Sequence, residues 1–424
     1  MLELAIRGVR LAAERARPCT LAIDQGRIAA ILDPGEAPQA RETLDFGGCL
    51  ALPGIVDAHV HFREPGLTHK EDFESGSRAA ALGGVTTVMV MPTDSPMTET
   101  PAQFEEKRRL AEGRCHVDFA LQALVGRSTA HVAALAAAGA SSFEIFMGLL
   151  PEDLCRRTEE AIAEALAAIR SAGGVAGVTA LDERLSAGFD AEAEAEGVSR
   201  ALRAHAAAGG RMHLRQISSA RALEALRHAK PGVTSEVTPH NLLLTSAALE
   251  RLGAVAKVVP PLRTEADTLA LQRALAAGEI SIVATDHAPH TPAEKDAGLE
   301  KAPGGFPGVQ TMLPLLLKLV ADGALTYEAL VRAACTGPAR IFGLYPRKGA
   351  LAPGSDADLV LVDPARSMQV RNAEQASKAQ RTPFDGWRVP ATPVATLLRG
   401  RLIMRDGALA GSPGGLHLKP GRSS

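Results

Sequence analysis

DAHVHFREPG, residues 57–66, ends an apolar run that starts at Gly54 as GIVDAHV, and the reading of that run decides the fold. Alternate side chains of a strand share a face, so His59 and His61 point the same way at the strand's end. Two ordinary histidines at a strand terminus would look identical, so context has to decide. Seven runs of similar length follow: VTTVMVM (85–91), VDFALQA (117–123), SSFEIFM (141–147), GVAGVT (174–179), RMHLRQI (211–217), AVAKVV (254–259) and ISIVATD (280–286). Between them lie amphipathic, Ala-rich segments such as PAQFEEKRRLAEG (101–113), EEAIAEALAAIRSAG (159–173) and ADTLALQRALAAGE (266–279), with Gly near their C-terminal ends. Eight strands alternating with helices predict a (β/α)8 TIM barrel over residues 52–345, in preference to an open doubly wound sheet with a Gly-rich phosphate loop.

The chain ends have a different texture. LELAIRGVRL and CTLAIDQGRIAAIL alternate apolar and polar residues around a Gln-Gly turn, and GALAPGSDADLVLVDP with TPVATLLRGRLIMRDG returns to strands after Leu344. Residues 1–51 and 346–410 are therefore expected to meet as one small β-sandwich, and 411–424 to form a loose tail. The α/β class follows from the middle of the chain, the composite β domain from its ends.

Composition excludes several functions. A formal net charge of −2 with no long run of either sign argues against nucleic acid and anionic membranes as partners. No stretch of about 18 apolar residues occurs, and the N-terminus lacks the apolar core of a signal peptide, so a cytoplasmic location is expected. The five cysteines are odd in number and widely spaced without a CxxC pair, which argues against a disulfide framework or a thiolate zinc site.

In ISIVATDHAPH, Asp286, His287 and His290 stand at the C-terminal mouth of the last strand. A carboxylate there packs poorly but is well placed to bind a metal or to take a proton from metal-bound water; a turn cap is the plain alternative. DAHVHFREPGLTHKEDFESGSRAAALGGVTTVMVMP, TSEVTPHNLLLT, PPLRTEADTLALQRALAAGEISIVATDHAPH, GGFPGVQTMLPLLL and GALAPGSDADLVLVDP, in this order through nearly the whole chain, resemble the dihydroorotases and allantoinases of the cyclic amidohydrolase superfamily. The resemblance implies a metal-dependent barrel that opens or closes a cyclic amide; in dihydroorotases the pair is carbamoyl aspartate and dihydroorotate, in pyrimidine biosynthesis. It makes His59 and His61 ligands of the more buried metal, Asp286 a ligand and general base, and Arg63 and His290 holders of a substrate carboxylate.

The family pattern is broken elsewhere. Glu144 stands where hydantoinase-like members carry a carboxylated lysine that bridges two metals, and a buried carboxylate there needs a metal or an Arg partner. Thr179 and Gln216 replace two ligand histidines of the second metal, and His213 faces the opposite side from Gln216. Thr93, Val259 and Asn241 replace further family residues, with Thr93 expected at the substrate. One Zn²⁺ on His59, His61, Glu144 and Asp286 is the expectation, with a small cyclic amide or ureide as substrate and a homo-oligomer as assembly. Two alternatives stand beside it: a hydantoin or allantoin hydrolase, and an inactive relative serving as scaffold for a partner such as aspartate transcarbamoylase.

Overall fold

The computed structural model describes residues 1–12 and 17–421. Pro18–Asp24 and Arg27–Leu32 form an antiparallel hairpin whose turn uses Gln25 and Gly26, both at positive φ (49° and 70°). That pair of left-handed residues gives the tight turn whose twist matches the flanking strands. Leu2–Leu11 pairs with Pro18–Asp24, and Leu50–Pro53 lies parallel to Leu2–Leu11 and antiparallel to Leu359–Asp363. Thr392–Leu398, Arg401–Arg405 and Ala408–Leu409 extend the same sheet, which among the described residues contains nine strands drawn from both ends of the chain. Its core joins Ile6, Leu21 and Ile23 from the head to Leu359, Leu361 and Leu397 from the tail.

From Pro53 the chain passes directly into a set of parallel strands. Ile55–Val60, Val85–Val90 and Asp118–Leu121 pair in order, as do Ala123–Leu124, Phe143–Phe146, Val175–Thr179, Arg211–Leu214, Val233–Val237 and Ile282–Val283. The Gln122 N–H donates to Val90 O (3.1 Å) and the Ala123 N–H to Ser142 O (3.0 Å), which joins the two sets. A parallel bridge between Val60 and His287 returns the last strand to the first. Most strand residues are buried on both faces, and helices such as Phe73–Leu82, Glu159–Ser171 and Ala191–Ala208 pack outside them. The molecule is thus a mixed α/β fold.

Two expectations fail. AVAKVV is not a strand: Gly253–Ala256 forms a 3-10 turn, and the seventh parallel strand is instead Val233–Val237, VTSEV. The apolar run leads into Pro260 and Pro261, which lack the N–H a ladder needs. The tail is not loose either, as far as Gly421; residues 422–424 lie outside the described residues. Leu418 is buried, its N–H donates to Phe119 O (2.7 Å), and the His417 ring lies against Phe104 and Phe119. The tail thus covers apolar surface beside the start of the third strand.

A buried ion cluster ties the two halves together. Lys348 Nζ donates to Asp118 (2.5 Å) and Asp358 (2.6 Å) and lies 2.9 Å from Asp356, while Arg399 also pairs with Asp118. Arg347 Nε also reaches Asp356 (2.9 Å), so three cations against three carboxylates make this a satisfied structural network. The five cysteines are all free, and no helix among the described residues is long and apolar enough to cross a membrane.

Candidate active site

The first and last parallel strands meet where the chemistry-bearing residues lie. The His61 N–H donates to His287 O (2.8 Å), and the Thr285 N–H and hydroxyl both donate to the buried Asp57 carboxylate (3.0 and 2.5 Å). These bonds fix Asp286 beside the two imidazoles. Asp286 Oδ1 lies 3.0 Å from His61 Nε2 and 3.3 Å from His59 Nε2. Asp286 has a left-handed φ of 47°, and Arg63 (59°) and Gln216 (53°) share that region. Strained backbone at three neighbouring polar residues is what an aimed site requires, since packing alone gives no reason for it.

Each imidazole has its other nitrogen occupied. His59 Nδ1 is 2.6 Å from Glu236 Oε1, and His61 Nδ1 is 2.8 Å from Thr93 Oγ1. With Nδ1 donating outward, both Nε2 lone pairs are left for the cavity, the state a metal-binding histidine needs. One nitrogen from each histidine and one oxygen of Asp286 lie within 4.8 Å of one another, a donor set that fits one divalent ion. Burial pulls His61 down to about 4, so it is neutral and free to ligate at ordinary pH. Burial works to raise the Asp286 carboxyl, but the facing imidazoles of His59 and His61 outweigh it and hold the group below the usual carboxylate range.

Glu144 does not join this group. Its carboxylate is taken by Arg215, with Nε on Oε2 (3.1 Å) and Nη2 on Oε1 (2.7 Å), and by the Ser142 hydroxyl (2.6 Å). The expected second carboxylate ligand is therefore a satisfied ion-pair partner in the protein interior. Arg215 was not anticipated, because as a neighbour of Gln216 in RMHLRQI it reads as a residue on the face away from the site.

A cavity of about 340 Å³ opens over the site, lined by His59, His61 and Asp286 together with Arg63, Thr93 and His290. Thr179 and Gln216 are also on its wall. Gln216 Nε2 donates to Asp286 Oδ2 at 2.6 Å, so the residue at the lost ligand position orients the carboxylate. The Thr179 hydroxyl has no hydrogen-bond partner among the described residues. Thr93, expected at the substrate, lines the cavity and also holds His61. Val259 lines the wall, whereas Asn241 is buried and does not line it, with neither end of its amide bonded among the described residues.

Arg63 makes no ion pair among the described residues. Its Nε donates to Pro289 O (3.3 Å), and Nη2 lies 3.4 Å from His290 Nε2. Lys70 Nζ lies 3.4 Å from His290 Nδ1, and Gly304 O lies 3.1 Å from Nε2. Burial, reinforced by Arg63 and Lys70, pushes His290 down to about 3 and keeps it neutral. With Lys70 donating to Nδ1, the Nε2 proton goes to Gly304 O, and the Arg63 fork finds no acceptor in that ring. Its remaining N–H groups are left to a ligand.

Glu236 is the second residue not foreseen. It sits in the strand VTSEV, fully buried, and the available signal was a carboxylate at a strand position shortly before TPHN.

The sequence matches the model of the amidohydrolase family over residues 50–403. It is 36% identical over 419 residues to a dihydroorotase of Methanothermobacter thermautotrophicus, covering 96% of this chain and 95% of that protein. It is 37% identical over 429 residues to a dihydroorotase of Mycobacterium tuberculosis, covering 96% and 100%. Among solved structures, an L-hydantoinase (dihydropyrimidinase) from Arthrobacter aurescens superposes with a TM-score of 0.93 at 30% identity, covering 99% of this chain and all of the other. With the family's sequence along almost its whole length and its histidine pair and aspartate converging on one cavity, this chain belongs to the amidohydrolase family.

Proposed function

We propose that the protein is a dihydroorotase-like hydrolase of cyclic amides that works with one Zn²⁺ held by His59, His61 and Asp286, in a closed (β/α)8 barrel beside a small β domain. The observation that carries the substrate class is the Arg63 guanidinium, which lines the cavity without an acidic partner of its own among the described residues. A planar fork of donors in a sheltered site calls for a carboxylate, and dihydroorotate carries one on its amide ring. The two curated relatives described above, both dihydroorotases, support the same reading.

When bound, the ion supplies Lewis acidity to the scissile carbonyl and acidifies the attacking water. The protein's own residues do the rest. Asp286 Oδ1 faces the two imidazoles, and Oδ2, oriented by Gln216, accepts the proton of the attacking water. As the ring C–N bond breaks, Oδ2 returns that proton to the leaving nitrogen, which leaves an amide or amine nitrogen and a carboxylic acid that loses its proton to solvent. Arg63 fixes the substrate's carboxylate at the other side of the cavity, with the His290 ring beside its guanidinium. Ring closure is the reverse sequence.

Metal analysis of the protein should find one zinc per chain. Two ions would overturn the single-ion site, and none under zinc-replete expression would overturn the metal-dependent reading. Arg63→Ala should raise KM for dihydroorotate by about 10- to 100-fold, the loss of a charge-assisted hydrogen-bond pair. Hydrolysis of an uncharged hydantoin should be unaffected by that substitution. Steady-state kinetics on dihydroorotate, hydantoin and allantoin test this together with a second reading, a hydantoinase-type activity, which Met97, Phe146, Leu149 and Leu150 on the apolar side of the cavity favour. Faster turnover of hydantoins than of dihydroorotate would select the second reading.

A further inference from the structure

Beneath the three proposed ligands lies a charge network that the reaction itself does not use. Arg215 is at its centre, and all five of its N–H groups have acceptors. Nε and Nη2 reach the Glu144 carboxylate, Nη2 also reaches Gln122 Oε1 (3.3 Å), and Nη1 reaches Glu236 Oε2 (2.9 Å) and Ala58 O (3.2 Å). The side chains of Glu144, Arg215 and Glu236 are all 0% exposed, so no water competes for these bonds. The partners come from the first, third, fourth and seventh parallel strands, and Arg215 itself follows the sixth. One guanidinium therefore fixes several strands beneath the cavity floor.

Glu236 is the part of this network that touches the site. Its Oε2 accepts from Arg215 and from His213 Nε2 (3.0 Å), and its Oε1 is left for His59 Nδ1 at 2.6 Å. His213 Nδ1 lies 2.8 Å from the Thr234 hydroxyl, and its Nε2, facing the Glu236 carboxylate, carries the proton. An ionised carboxylate only accepts, so the His59 proton must lie on Nδ1. One guanidinium against two carboxylates leaves one negative charge over, and the group facing His59 carries it. We infer that Glu236, fixed by Arg215 and Glu144, is a positioning residue for the ion: it holds His59 in the tautomer that presents Nε2 to the cavity and makes that nitrogen a stronger donor.

This rests on the metal-dependent reading above, and the test separates the two. Zinc affinity of the full-length protein is measured by competition with a chromophoric chelator, for wild type and Glu236→Gln. The amide keeps the shape but must turn its NH2 toward His59 or toward Arg215 and His213, so a donor meets a donor in either orientation. The dissociation constant for zinc should rise by about 10- to 100-fold, as for other partners of ligating histidines. Ring ¹⁵N NMR of metal-free wild type, with the His59 signals assigned by their loss in His59→Gln, should show the proton on Nδ1. Zinc affinity within twofold of wild type in folded Glu236→Gln, or a His59 proton on Nε2, overturns the positioning role and leaves the hydrolase reading standing. If Glu236→Gln does not fold, the wild-type tautomer decides alone. Wild type that binds no zinc sinks the metal-dependent reading, and the positioning role with it.

Discussion

Asp286→Asn is expected to lower kcat for dihydroorotate by about a thousandfold or more while the protein stays folded. The carboxylate has two tasks that the amide cannot share. Oδ1 faces His59 Nε2 and His61 Nε2, and Oδ2 accepts from Gln216 Nε2. An amide oriented with its oxygen toward the imidazoles presents NH2 to the Gln216 donor; turned around, it presents NH2 to the ligand nitrogens. In either orientation the amide oxygen is too weak a base to take the proton of water. The loss should fall on kcat with zinc saturating and zinc content verified, because substrate binding through Arg63 is untouched. A kcat within tenfold of wild type would show that another group is the base. Rates for wild type no higher than for Asp286→Asn on dihydroorotate, hydantoin and allantoin alike would reject catalysis on ring amides.

The part of this site that was legible in the sequence is the part governed by local geometry. His59 and His61 share a face because they stand two positions apart on a strand, and Asp286 follows an apolar run at the mouth of the last strand. Those rules need no knowledge of the partner. Glu144 shows the limit: parity placed it inward, and the cost of burying a carboxylate demanded a counter-charge, but an ion and a guanidinium satisfy that demand equally well. Arg215 supplies the counter-charge from 71 residues away. Glu236 was missed for a related reason. AVAKVV has the apolar texture of a buried strand and VTSEV does not, yet VTSEV forms the ladder because its Glu and Thr side chains find Arg215, His59 and His213 inside. A polar strand is favourable once its polar groups are all paired, and that is a tertiary fact. The docking of the tail through Leu418 and His417 is another such fact.

Gly177→Ala is expected to destabilise the protein by about 3–5 kcal/mol, the cost of leaving a buried charge without its partner. Gly177 sits in Val175–Thr179 opposite Glu144 on the neighbouring strand. A Cβ built there falls inside the van der Waals envelope of both Glu144 carboxylate oxygens. The backbone at Gly177 is not among the positive-φ positions, so alanine fits the strand and would by itself be slightly favourable there. The damage must come from displacing Glu144 off Arg215, which breaks the two-pronged pair and leaves the guanidinium to Glu236 alone. Urea unfolding of Gly177→Ala, Glu144→Ala and the double substitution separates this from ordinary overpacking. If the carboxylate is the victim, the double variant is no less stable than Glu144→Ala, and the two losses are far from additive. Additive losses, or a cost for Gly177→Ala under about 1 kcal/mol, would mean that Glu144 can move aside within the interior. The same displacement frees Arg215 to pull on Glu236, so zinc affinity should fall together with stability, linking a missing methyl group on the fifth strand to the histidine on the first.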